Sequence, residues 1–357
     1  MNALADRIAA LIAQNGPLTI AQYMAIALND PREGYYATRP ALGGHGDFIT
    51  APETSQMFGE LVGLWCVQAW LDSGAPARVN LIELGPGRGV MMSDMLRAAK
   101  ALDAYRAALS VTLIETSAPL RAEQEKTLSG QEIAWAQTLA EAPDGPSVIV
   151  ANEFLDCMPI RQFVRTGEGW REKVVGARAG ALTFGLVTMP LADEAIIPPA
   201  LKDAPEGAVA EIAPALEGFI ATLAARLHAH PGRALFFDYG APTPDGGDTF
   251  QALRRHSSAD PLEAPGESDL TAHVDFSAVK RAAEAAGLAV AGPRAQGAWL
   301  NAMGIETRAA ALRAAQPHKA ALIARQHARL TAPDQMGILF QAICLSSPGL
   351  PAPAGFS

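Results

Sequence analysis

The sequence predicts an α/β fold with a doubly wound, mostly parallel sheet. Short apolar segments alternate along the chain with segments of helical periodicity, which is typical of a parallel sheet covered by helices on both faces. A glycine-rich segment also follows one predicted strand directly and precedes a helix. Right-handed crossovers place the carboxyl ends of parallel strands, and therefore this glycine-rich turn, along one edge of the sheet.

Helices are predicted at the N-terminus. Apolar residues recur at helical spacing over residues 4–12, and a capping box with Thr19 as N-cap and Gln22 three residues later begins a second helix. Residues 43–53 are rich in glycine and turn-forming residues, so they are predicted to form a loop and not a regular element. Residues 55–71 are predicted to form the next helix.

The remaining elements alternate between strand and helix. The predicted strands are 79–84, 111–115, 147–152, 233–238, 288–291 and 338–345, and the predicted helices are 91–109, 119–128, 276–286 and 305–330. The stretch between the third and fourth strands is too long for one crossover. It contains a predicted hairpin over 169–187 and a helix over 214–230, and residues 241–269, rich in proline, glycine and aspartate, predict a long loop.

These elements predict a Rossmann-like core with additions. The predicted domain organisation is an N-terminal helical segment over 1–72, a core over 73–160 and 231–347 with a helical insertion at about 295–333, and an inserted hairpin-plus-helix subdomain over 161–230. The N-terminal segment is expected to include a loop that covers the ligand of the core.

Composition and charge exclude several classes of protein. The net charge of −9 argues against a nucleic-acid binder, which would carry a basic face, and mildly favours cationic partners such as basic protein segments. No apolar run approaches the ~18 residues of a membrane span. The three cysteines are far apart and lack CxxC spacing, so neither a metal site nor a disulfide framework is expected. The N-terminal sequence resembles neither a signal peptide nor an Arg-rich transit peptide, and a cytoplasmic location is expected.

The glycine-rich turn, Glu83-Leu84-Gly85-Pro86-Gly87-Arg88-Gly89, is the strongest local signal. Glycines at alternate positions let the backbone turn sharply and approach a ligand closely. A dinucleotide fingerprint would have its third glycine where Val90 stands. Here the third glycine comes one place earlier, at Gly89, which is the spacing of the E/D-x-G-x-G-x-G loop of class I methyltransferases.

This spacing predicts S-adenosyl-L-methionine as the cofactor. We expect the backbone of Gly85, Pro86, Gly87 and Gly89 to line its site, and the carboxylate of Glu83 to hold its ammonium group, directly or through water. The alternative interpretation is a plain strand-to-helix turn.

An acidic residue ends the second core strand. The carboxylate of Glu115, with Thr116 beside it, is expected to bind the two ribose hydroxyls of the cofactor, the role that an acidic residue has in dinucleotide-binding folds. The alternative is a solvated acid at a strand end.

The third core strand ends in a polar segment that we predict to be catalytic. Asn152, Glu153 and Asp156 follow this strand, with the aromatic Phe154 between the two acids. By the switch-point rule they should face the reacting centre, where two carboxylates suit a planar cation such as guanidinium. Asn152 is also expected to contact the cofactor. The alternative is that Asp156 caps a following helix and Glu153 is a surface acid.

Three further segments are weaker candidates. Phe48, Thr50 and Pro52 belong to a loop that is expected to cover the cofactor, although a structural Ω-loop is equally compatible with the sequence. His273 is a possible base, but a single histidine near a helix start is more often structural. The segment 238–240 follows a strand and is expected at the same edge of the sheet.

Together these segments resemble the MidA family, the mitochondrial complex I assembly-factor type of protein-arginine methyltransferase with its bacterial relatives. The resemblance covers nearly the whole chain. It depends on Gly46-Asp47-Phe48 with Pro52-Glu53, Ser55 to Glu60, the glycine turn, Ile114-Glu115, Asn152 to Asp156, Phe237 to Gly240, Thr271 to Phe276 and Asp334 to Gly337. The glycine turn alone marks a superfamily, whereas the combination is specific.

The resemblance implies a class I methyltransferase fold with added helical segments. The mitochondrial members symmetrically dimethylate an arginine of a complex I subunit, so the implied activity is protein arginine methylation, with a role in complex I assembly and a complex I subunit as partner. A bacterial-type member would act in the cytoplasm and a eukaryotic member in the mitochondrial matrix. Two alternatives stay open: a methyltransferase of a small molecule, and a cofactor-binding assembly factor without turnover. The sequence specifies neither the acceptor nor the oligomeric state.

Overall fold

The computed structural model of the chain describes residues 2–38, 50–254 and 257–356. These described residues fall into two compact units. The antiparallel unit comprises the described residues within 1–48, 155–217 and 241–279, and the parallel unit comprises those within 49–154, 218–240 and 280–357.

The helices and strands have the following bounds. The helices are α1 (Ala3–Asn15), α2 (Ile20–Asn29), α3 (Tyr35–Thr38), α4 (Ala51–Thr54), α5 (Gln56–Asp72), α6 (Val90–Ala99), α7 (Asp103–Ala108), α8 (Ala118–Thr127), α9 (Leu216–Ala229), α10 (Phe276–Ala285), α11 (Gln296–Ala302), α12 (Ile305–Ala315), α13 (Ala320–Thr331) and α14 (Met336–Leu339). The strands are β1 (Leu18–Thr19), β2 (Val79–Leu84), β3 (Leu109–Ile114), β4 (Ile133–Ala136), β5 (Ser147–Asn152), β6 (Arg161–Thr166), β7 (Gly169–Arg178), β8 (Ala181–Leu186), β9 (Val209–Ile212), β10 (Gly232–Tyr239), β11 (Gln251–Arg254), β12 (Ser257–Ala259), β13 (Asp269–Thr271), β14 (Ala289–Ala295) and β15 (Phe340–Ser346).

The parallel unit contains the doubly wound sheet that the sequence predicts. Its strand order is β14-β15-β10-β5-β2-β3-β4. The strands β10, β5, β2, β3 and β4 run parallel to one another, whereas β15 runs antiparallel to both β10 and β14. Every residue of β2, β5 and β10 is buried, as expected of strands with both faces covered. The predicted fold class is therefore confirmed.

Aromatic side chains fill the core of the parallel unit. The ring of Phe237 lies edge-on to Phe58 of α5 and to Trp299 of α11, with ring centroids 5.0 Å and 4.8 Å apart. Such edge-to-face pairs are worth ~0.5–1.5 kcal/mol beyond the area they bury. Because most residues of α5 are buried and eight of them belong to this core cluster, residues 49–72 belong to the parallel unit and not to a separate N-terminal segment.

One predicted helix of this unit is divided in two. The helix predicted over 91–109 is α6 followed by α7, with a turn at 100–102 between them. The turn allows α7 to bring the buried ring of Tyr105 against Trp70, with ring centroids 5.5 Å apart. Tertiary packing therefore overrides the continuous helical pattern. The short strand β4 was not predicted from the sequence, because a run of four residues is too short for periodicity to distinguish a strand.

The antiparallel unit is built from segments that are far apart in the chain. Its larger sheet has the order β1-β7-β6-β9, with β8 paired to β7. The predicted hairpin is confirmed as β7 and β8, and its turn has Ala179 at φ +49° and Gly180 at φ +84°, the left-handed conformations of a two-residue hairpin turn. The capping box at Thr19 and Gln22 is present at the start of α2.

The segment predicted as a long loop contains regular structure. Within 241–269, β11 pairs with β12 and with β13 in a small antiparallel sheet. The half-buried carboxylate of Glu211 stabilises the start of this sheet, because it accepts hydrogen bonds from the backbone N–H of Thr249 (3.1 Å) and of Phe250 (3.2 Å) and from the Thr249 hydroxyl. The prediction of a loop over 241–269 was therefore wrong in part.

The observed division of the chain differs from the predicted one. The predicted segments were 1–72, 161–230 and a core over 73–160 and 231–347, whereas the antiparallel unit combines 1–48, 155–217 and 241–279. The reason is packing: α1, α2, the hairpin and β13 contribute to a shared buried cluster that includes Leu4, Tyr23, Val175 and Leu270. Among the helices in the described ranges, none is both long and apolar enough to cross a bilayer.

Candidate active site

The glycine turn adopts a conformation that favours glycine at three positions. Gly85, Gly87 and Gly89 have φ values of +59°, +53° and +78°, in the left-handed region where other residues are strained. The N–H of Gly85 donates to the carbonyl of Ile114 (3.1 Å), and that of Gly89 donates to the carbonyl of Pro86 (2.8 Å). The turn is thereby anchored to β3 and closed on itself before α6 begins at Val90.

Neighbouring parallel strands end in register beside this turn. Leu84 at the end of β2 pairs with Ala151 of β5 and with Ile114 of β3. Residues that follow these strands therefore lie along one edge of the sheet, and they include Gly85, Asn152 and Glu115. The structure thus brings together three of the positions that the sequence assigned to the cofactor.

Two buried side chains at this edge keep an oxygen without a hydrogen-bond partner among the described residues. They are Oε2 of Glu83 and Oδ1 of Asn152, whose residues are only 2% and 8% exposed. Burial raises the pKa of the Glu83 carboxyl well above its ordinary value. Both side chains lie on the sheet face whose apolar residues include Val79, Leu81, Val148 and Val150.

These unsatisfied acceptors fit a ligand that donates hydrogen bonds. A buried acceptor without a donor costs ~1–3 kcal/mol, and an ammonium group offers three donors and a compensating positive charge. The two oxygens and the glycine turn therefore fit the amino-acid end of S-adenosyl-L-methionine.

The carboxylate of Glu115 is held by local donors at the end of β3. Its Oε1 accepts from the N–H of Ser117 (2.7 Å), and its Oε2 accepts from Nε2 of Gln124 (3.1 Å). Burial raises its pKa, while these bonds and the N–H of Thr116 lower it. Because an ionised carboxylate has about four acceptor positions, Glu115 is oriented by the protein and can still accept a further hydroxyl. The side chain of Thr116 is exposed beside it.

Gln124 was not predicted from the sequence. Its side chain is fully buried, Nε2 donates to the carbonyl of Gly87 (2.7 Å) and to Glu115, and Oε1 accepts from the indole N–H of Trp135 (2.9 Å). A signal for it was present, because Leu120, Gln124 and Leu128 recur at a spacing of four in a helix. An amide in such an apolar stripe is a buried polar group that requires partners.

The segment Asn152 to Phe154 is strained. Glu153 has φ +52°, a left-handed conformation that costs a residue other than glycine ~1–3 kcal/mol and is concentrated at functional sites. Its N–H donates to the carbonyl of Phe237 (2.8 Å), and its Oε1 accepts from Nδ2 of Asn152 (2.9 Å). The N–H of Phe154 donates to Oδ2 of the buried Asp238 (3.1 Å). Asp238 therefore supports this segment.

Asp156 lies in the antiparallel unit and does not cap a helix. The next element after it is β6, and its carbonyl accepts from the N–H of Ala272 (3.0 Å). The alternative in which Asp156 is a helix cap was therefore wrong. Its carboxylate is buried and is one of the groups that raise the pKa of Tyr36, after burial and after the charges of Asp269 and Cys157.

Tyr36 and Asp269 form a polar pair near Asp156 that the sequence did not predict. The hydroxyl of Tyr36 donates to Oδ1 of Asp269 (2.9 Å). These residues are 233 positions apart in the chain, so only the tertiary structure shows their association.

The loop predicted to cover the cofactor is described only from residue 50 onward. Phe48 lies outside the described residues. Thr50 precedes the short helix α4, Pro52 is buried in its first turn, and Glu53 is 3.7 Å from the guanidinium of Arg88 in the glycine turn. The prediction that residues up to 53 form no regular element was wrong for α4, because proline in a first helical turn favours a helix.

The environment of His273 is that of a structural residue. It is half-buried, and its N–H donates to the hydroxyl of Thr249 (2.8 Å). Burial lowers the pKa of its imidazole, against the raising effect of Asp245. Within the ranges that the structure describes, no group of three or more potential metal ligands is found.

Comparisons with known proteins identify relatives across the chain. Residues 61–294 match the family described as S-adenosyl-L-methionine-dependent methyltransferases. The zebrafish (Danio rerio) protein arginine methyltransferase NDUFAF7, mitochondrial, is 36% identical in an alignment covering 94% of this chain and 84% of that protein. The human protein of the same name is 36% identical, with 94% of this chain and 81% of that protein covered.

Two solved structures from Burkholderia thailandensis are also similar. One, described as a methyl transferase bound to S-adenosyl-homocysteine, has a TM-score of 0.87 at 30% identity and covers 99% of this chain and 94% of that chain. A native structure has a TM-score of 0.84 at 30% identity, with 99% and 93% covered. The glycine turn, the two unsatisfied oxygens and these matches agree, and the chain belongs to the family of S-adenosyl-L-methionine-dependent methyltransferases.

Proposed function

We propose that the chain methylates an arginine side chain of a protein. The relatives at 36% identity are named protein arginine methyltransferases, and the alignments extend over most of both chains. The observation on this chain that carries the proposal is the strained Glu153, which joins the end of β5 to Phe154 at the sheet edge of the glycine turn. A strained acid at this position is expected to contact the acceptor.

The cofactor site in this proposal is supported by the conformation of the glycine turn and by the unsatisfied oxygens of Glu83 and Asn152. The backbone of Gly85, Pro86, Gly87 and Gly89 approaches the cofactor. Glu83 and Asn152 accept hydrogen bonds from its ammonium group, and Glu115, with Thr116 beside it, binds the ribose. Thr50 and Pro52 belong to the segment that covers it. S-adenosyl-L-methionine supplies a methyl group on a sulfonium, and the protein's task is to align a nucleophile with it, which can contribute ~7–11 kcal/mol.

The acceptor site in this proposal uses the segment from Asn152 to Asp156. Arginine stays protonated at neutral pH, because the pKa of its guanidinium exceeds ~12. Carboxylates of Glu153 and Asp156 that pair with two of its nitrogens would localise the positive charge there and leave the third nitrogen available as the nucleophile. Asn152 orients that nitrogen.

The partner that fits best is a basic segment of a protein. The chain's net charge of −9 favours cationic partners, and the resemblance to the complex I assembly-factor type of protein-arginine methyltransferase supports a subunit of respiratory complex I, with a role in its assembly. The location of the chain stays a prediction: cytoplasmic for a bacterial-type member, and the mitochondrial matrix if the chain is eukaryotic.

Methyl transfer from labelled cofactor into a cell extract tests this function. We expect label in a protein band, and methylarginine when that band is digested and measured by mass spectrometry. Label in small molecules alone would favour a small-molecule methyltransferase. Cofactor binding by calorimetry without any transfer would favour an assembly factor without turnover. The Gly87→Val variant is the negative control.

A further inference from the structure

We infer that Gln124 is a positioning residue that fixes the glycine turn and the carboxylate of Glu115 relative to each other. This inference rests on the proposed roles of the turn and of Glu115 in cofactor binding. Gln124 is on α8, outside the segments that carry those roles, and it makes its contacts through one fully buried amide.

The amide group contacts both parts of the site. Its Nε2 donates one hydrogen bond to the carbonyl of Gly87 (2.7 Å) and the other to Oε2 of Glu115 (3.1 Å). An amide NH₂ has two hydrogens, so both are used. A single nitrogen thus sets the separation between the glycine turn and the acid at the end of β3.

Each contact fixes an orientation. A peptide group is planar and trans, so a Gly87 carbonyl held toward Gln124 directs the N–H of Arg88 to the opposite side of the turn. At Glu115, the N–H of Ser117 holds Oε1 while Gln124 holds Oε2. The carboxylate is therefore anchored at both oxygens and cannot rotate freely.

The amide itself is held in one orientation. Its Oε1 accepts from the indole N–H of Trp135 at 2.9 Å, which determines which end of the amide faces the site. The stem of Gln124 also packs on the turn: a Cβ added at Gly89 would be 3.5 Å from Cγ of Gln124 and 3.3 Å from Leu128. A displacement of α8 would therefore reach both the turn and Glu115.

Gln124→Met tests this role, because methionine has a similar length and no hydrogen-bond donors. We expect the dissociation constant for S-adenosyl-L-methionine, measured by calorimetry, to rise about tenfold, as is typical of losing a hydrogen bond to a charged group. The KM for the cofactor should rise with it, while kcat at saturating cofactor stays within about twofold, since Gln124 touches no reacting atom.

A double-mutant cycle with Glu115→Ala separates positioning from packing. If Gln124 acts partly through Glu115, the loss caused by Gln124→Met should be smaller in the Glu115→Ala background than in the parent. Equal losses in the two backgrounds would overturn the inference, because a packing effect adds independently. Should the methionine variant not fold, Gln124→Asn gives the same cycle, since its shorter amide cannot reach both partners.

Gln296→Met is the matched control. Gln296 is also a fully buried glutamine, and its Nε2 donates to the carbonyl of Leu330 (3.0 Å). This variant should lower the melting temperature and leave the cofactor dissociation constant unchanged. Parental affinity in Gln124→Met, with reduced affinity in Glu115→Ala, would overturn the positioning role while the proposed site stands. Parental affinity in both Gly87→Val and Glu115→Ala would overturn the proposed cofactor site itself.

Discussion

Two glutamates, one in each unit, differ in how many hydrogen bonds the protein makes to them. In the antiparallel unit, the carboxylate of Glu211 accepts hydrogen bonds from Nε2 of Gln162 (2.7 Å), from two backbone N–H groups and from the hydroxyl of Thr249. In the parallel unit, Glu83 is more deeply buried than Glu211, yet its Oε2 has no hydrogen-bond partner among the described residues.

This difference distinguishes structural acids from ligand-binding acids. The bonds to Glu211 are already made, so they stabilise the fold and leave little capacity for a ligand. The unsatisfied oxygens of Glu83 and Asn152 cost the unliganded protein ~1–3 kcal/mol each, which a cofactor that donates hydrogen bonds would recover on binding. Glu115 combines features of both kinds of acid, because local donors orient its carboxylate while its remaining acceptor positions stay available to a ligand.

The largest expected effect is at the glycine turn. Gly87→Val places a branched side chain at φ +53°, which costs ~1–3 kcal/mol of backbone strain. The same side chain obstructs the position where the cofactor must approach the backbone. We expect the cofactor dissociation constant to rise at least about a hundredfold with the fold retained in circular dichroism.

Gly74→Val is the matched control for strain. Gly74 has φ +85°, and a Cβ there would meet nothing within 4 Å. It should lower the melting temperature while the cofactor affinity stays at the parental value. If Gly87→Val binds the cofactor normally, the glycine turn is not part of the site.

The next effect concerns the acceptor acids. Glu153→Gln and Asp156→Asn should each reduce methyl transfer tenfold or more, since an incompletely paired cation in a partly desolvated site costs ~2–5 kcal/mol. Cofactor affinity, measured beside turnover, should be spared. Parental turnover in both variants would exclude this segment as the acceptor site, and loss of cofactor binding in both would assign it to cofactor support.

Glu153→Gly adds a test that separates strain from chemistry. Glycine adopts φ +52° without strain, so this variant should melt at the parental temperature or above it. We expect its methyl transfer to fall as in Glu153→Gln. A variant that is both more stable and fully active would show that the strain has no functional role.

A smaller effect is expected at the ribose-binding acid. Glu115→Ala should weaken cofactor binding by ~1.5–3 kcal/mol, the range for hydrogen bonds to a charged group. The exposed Glu132 provides the control, because Glu132→Ala should bind as the parent does. Parental affinity in Glu115→Ala would return Glu115 to a structural role.

The smallest effect is the pH dependence of stability. Burial raises the pKa of Glu83 well above its ordinary value of 4.5, so the folded state holds this proton more tightly than the unfolded chain does. The free energy of unfolding should therefore fall as the pH rises above 4.5 and through the folded pKa. In Glu83→Gln that fall should be smaller. Urea denaturation of the unliganded parent and of Glu83→Gln at several pH values measures this free energy. Identical pH profiles for the two proteins would contradict the assignment of the raised pKa to Glu83.

Local patterns in the sequence were sufficient to predict much of the parallel unit. The bounds of β2 and β5 agree with the predicted strands, and the glycine turn has the conformation that its spacing requires. These features depend on residues that are adjacent in the chain. Runs of apolar residues therefore specify these strands, and the spacing of the glycines specifies the turn, without knowledge of the tertiary structure.

Features that join distant residues were not predicted. Glu211 bonds Thr249 across 38 positions, and Tyr36 bonds Asp269 across 233, so no local pattern indicates either pair. The small sheet of β11, β12 and β13 was missed for the same reason, because a composition rich in turn-forming residues concealed strands that depend on the bonds to Glu211. Gln124 could have been identified, since an amide in an apolar helical stripe marks a buried polar contact.

Calorimetry on Glu83→Gln and Glu211→Gln tests the central distinction most directly. Replacing the carboxyl of Glu83 by an amide should weaken S-adenosyl-L-methionine binding by ~1.5–3 kcal/mol, because an amide cannot ionise beside the ammonium group, and should raise the melting temperature of the unliganded protein. The same replacement at Glu211 should lower the melting temperature, because an amide cannot accept from all of the donors that surround it, and leave cofactor affinity within about twofold. If Glu83→Gln binds the cofactor as the parent does, or if Glu211→Gln loses affinity while Glu83→Gln keeps it, the distinction between structural and ligand-binding acids is contradicted.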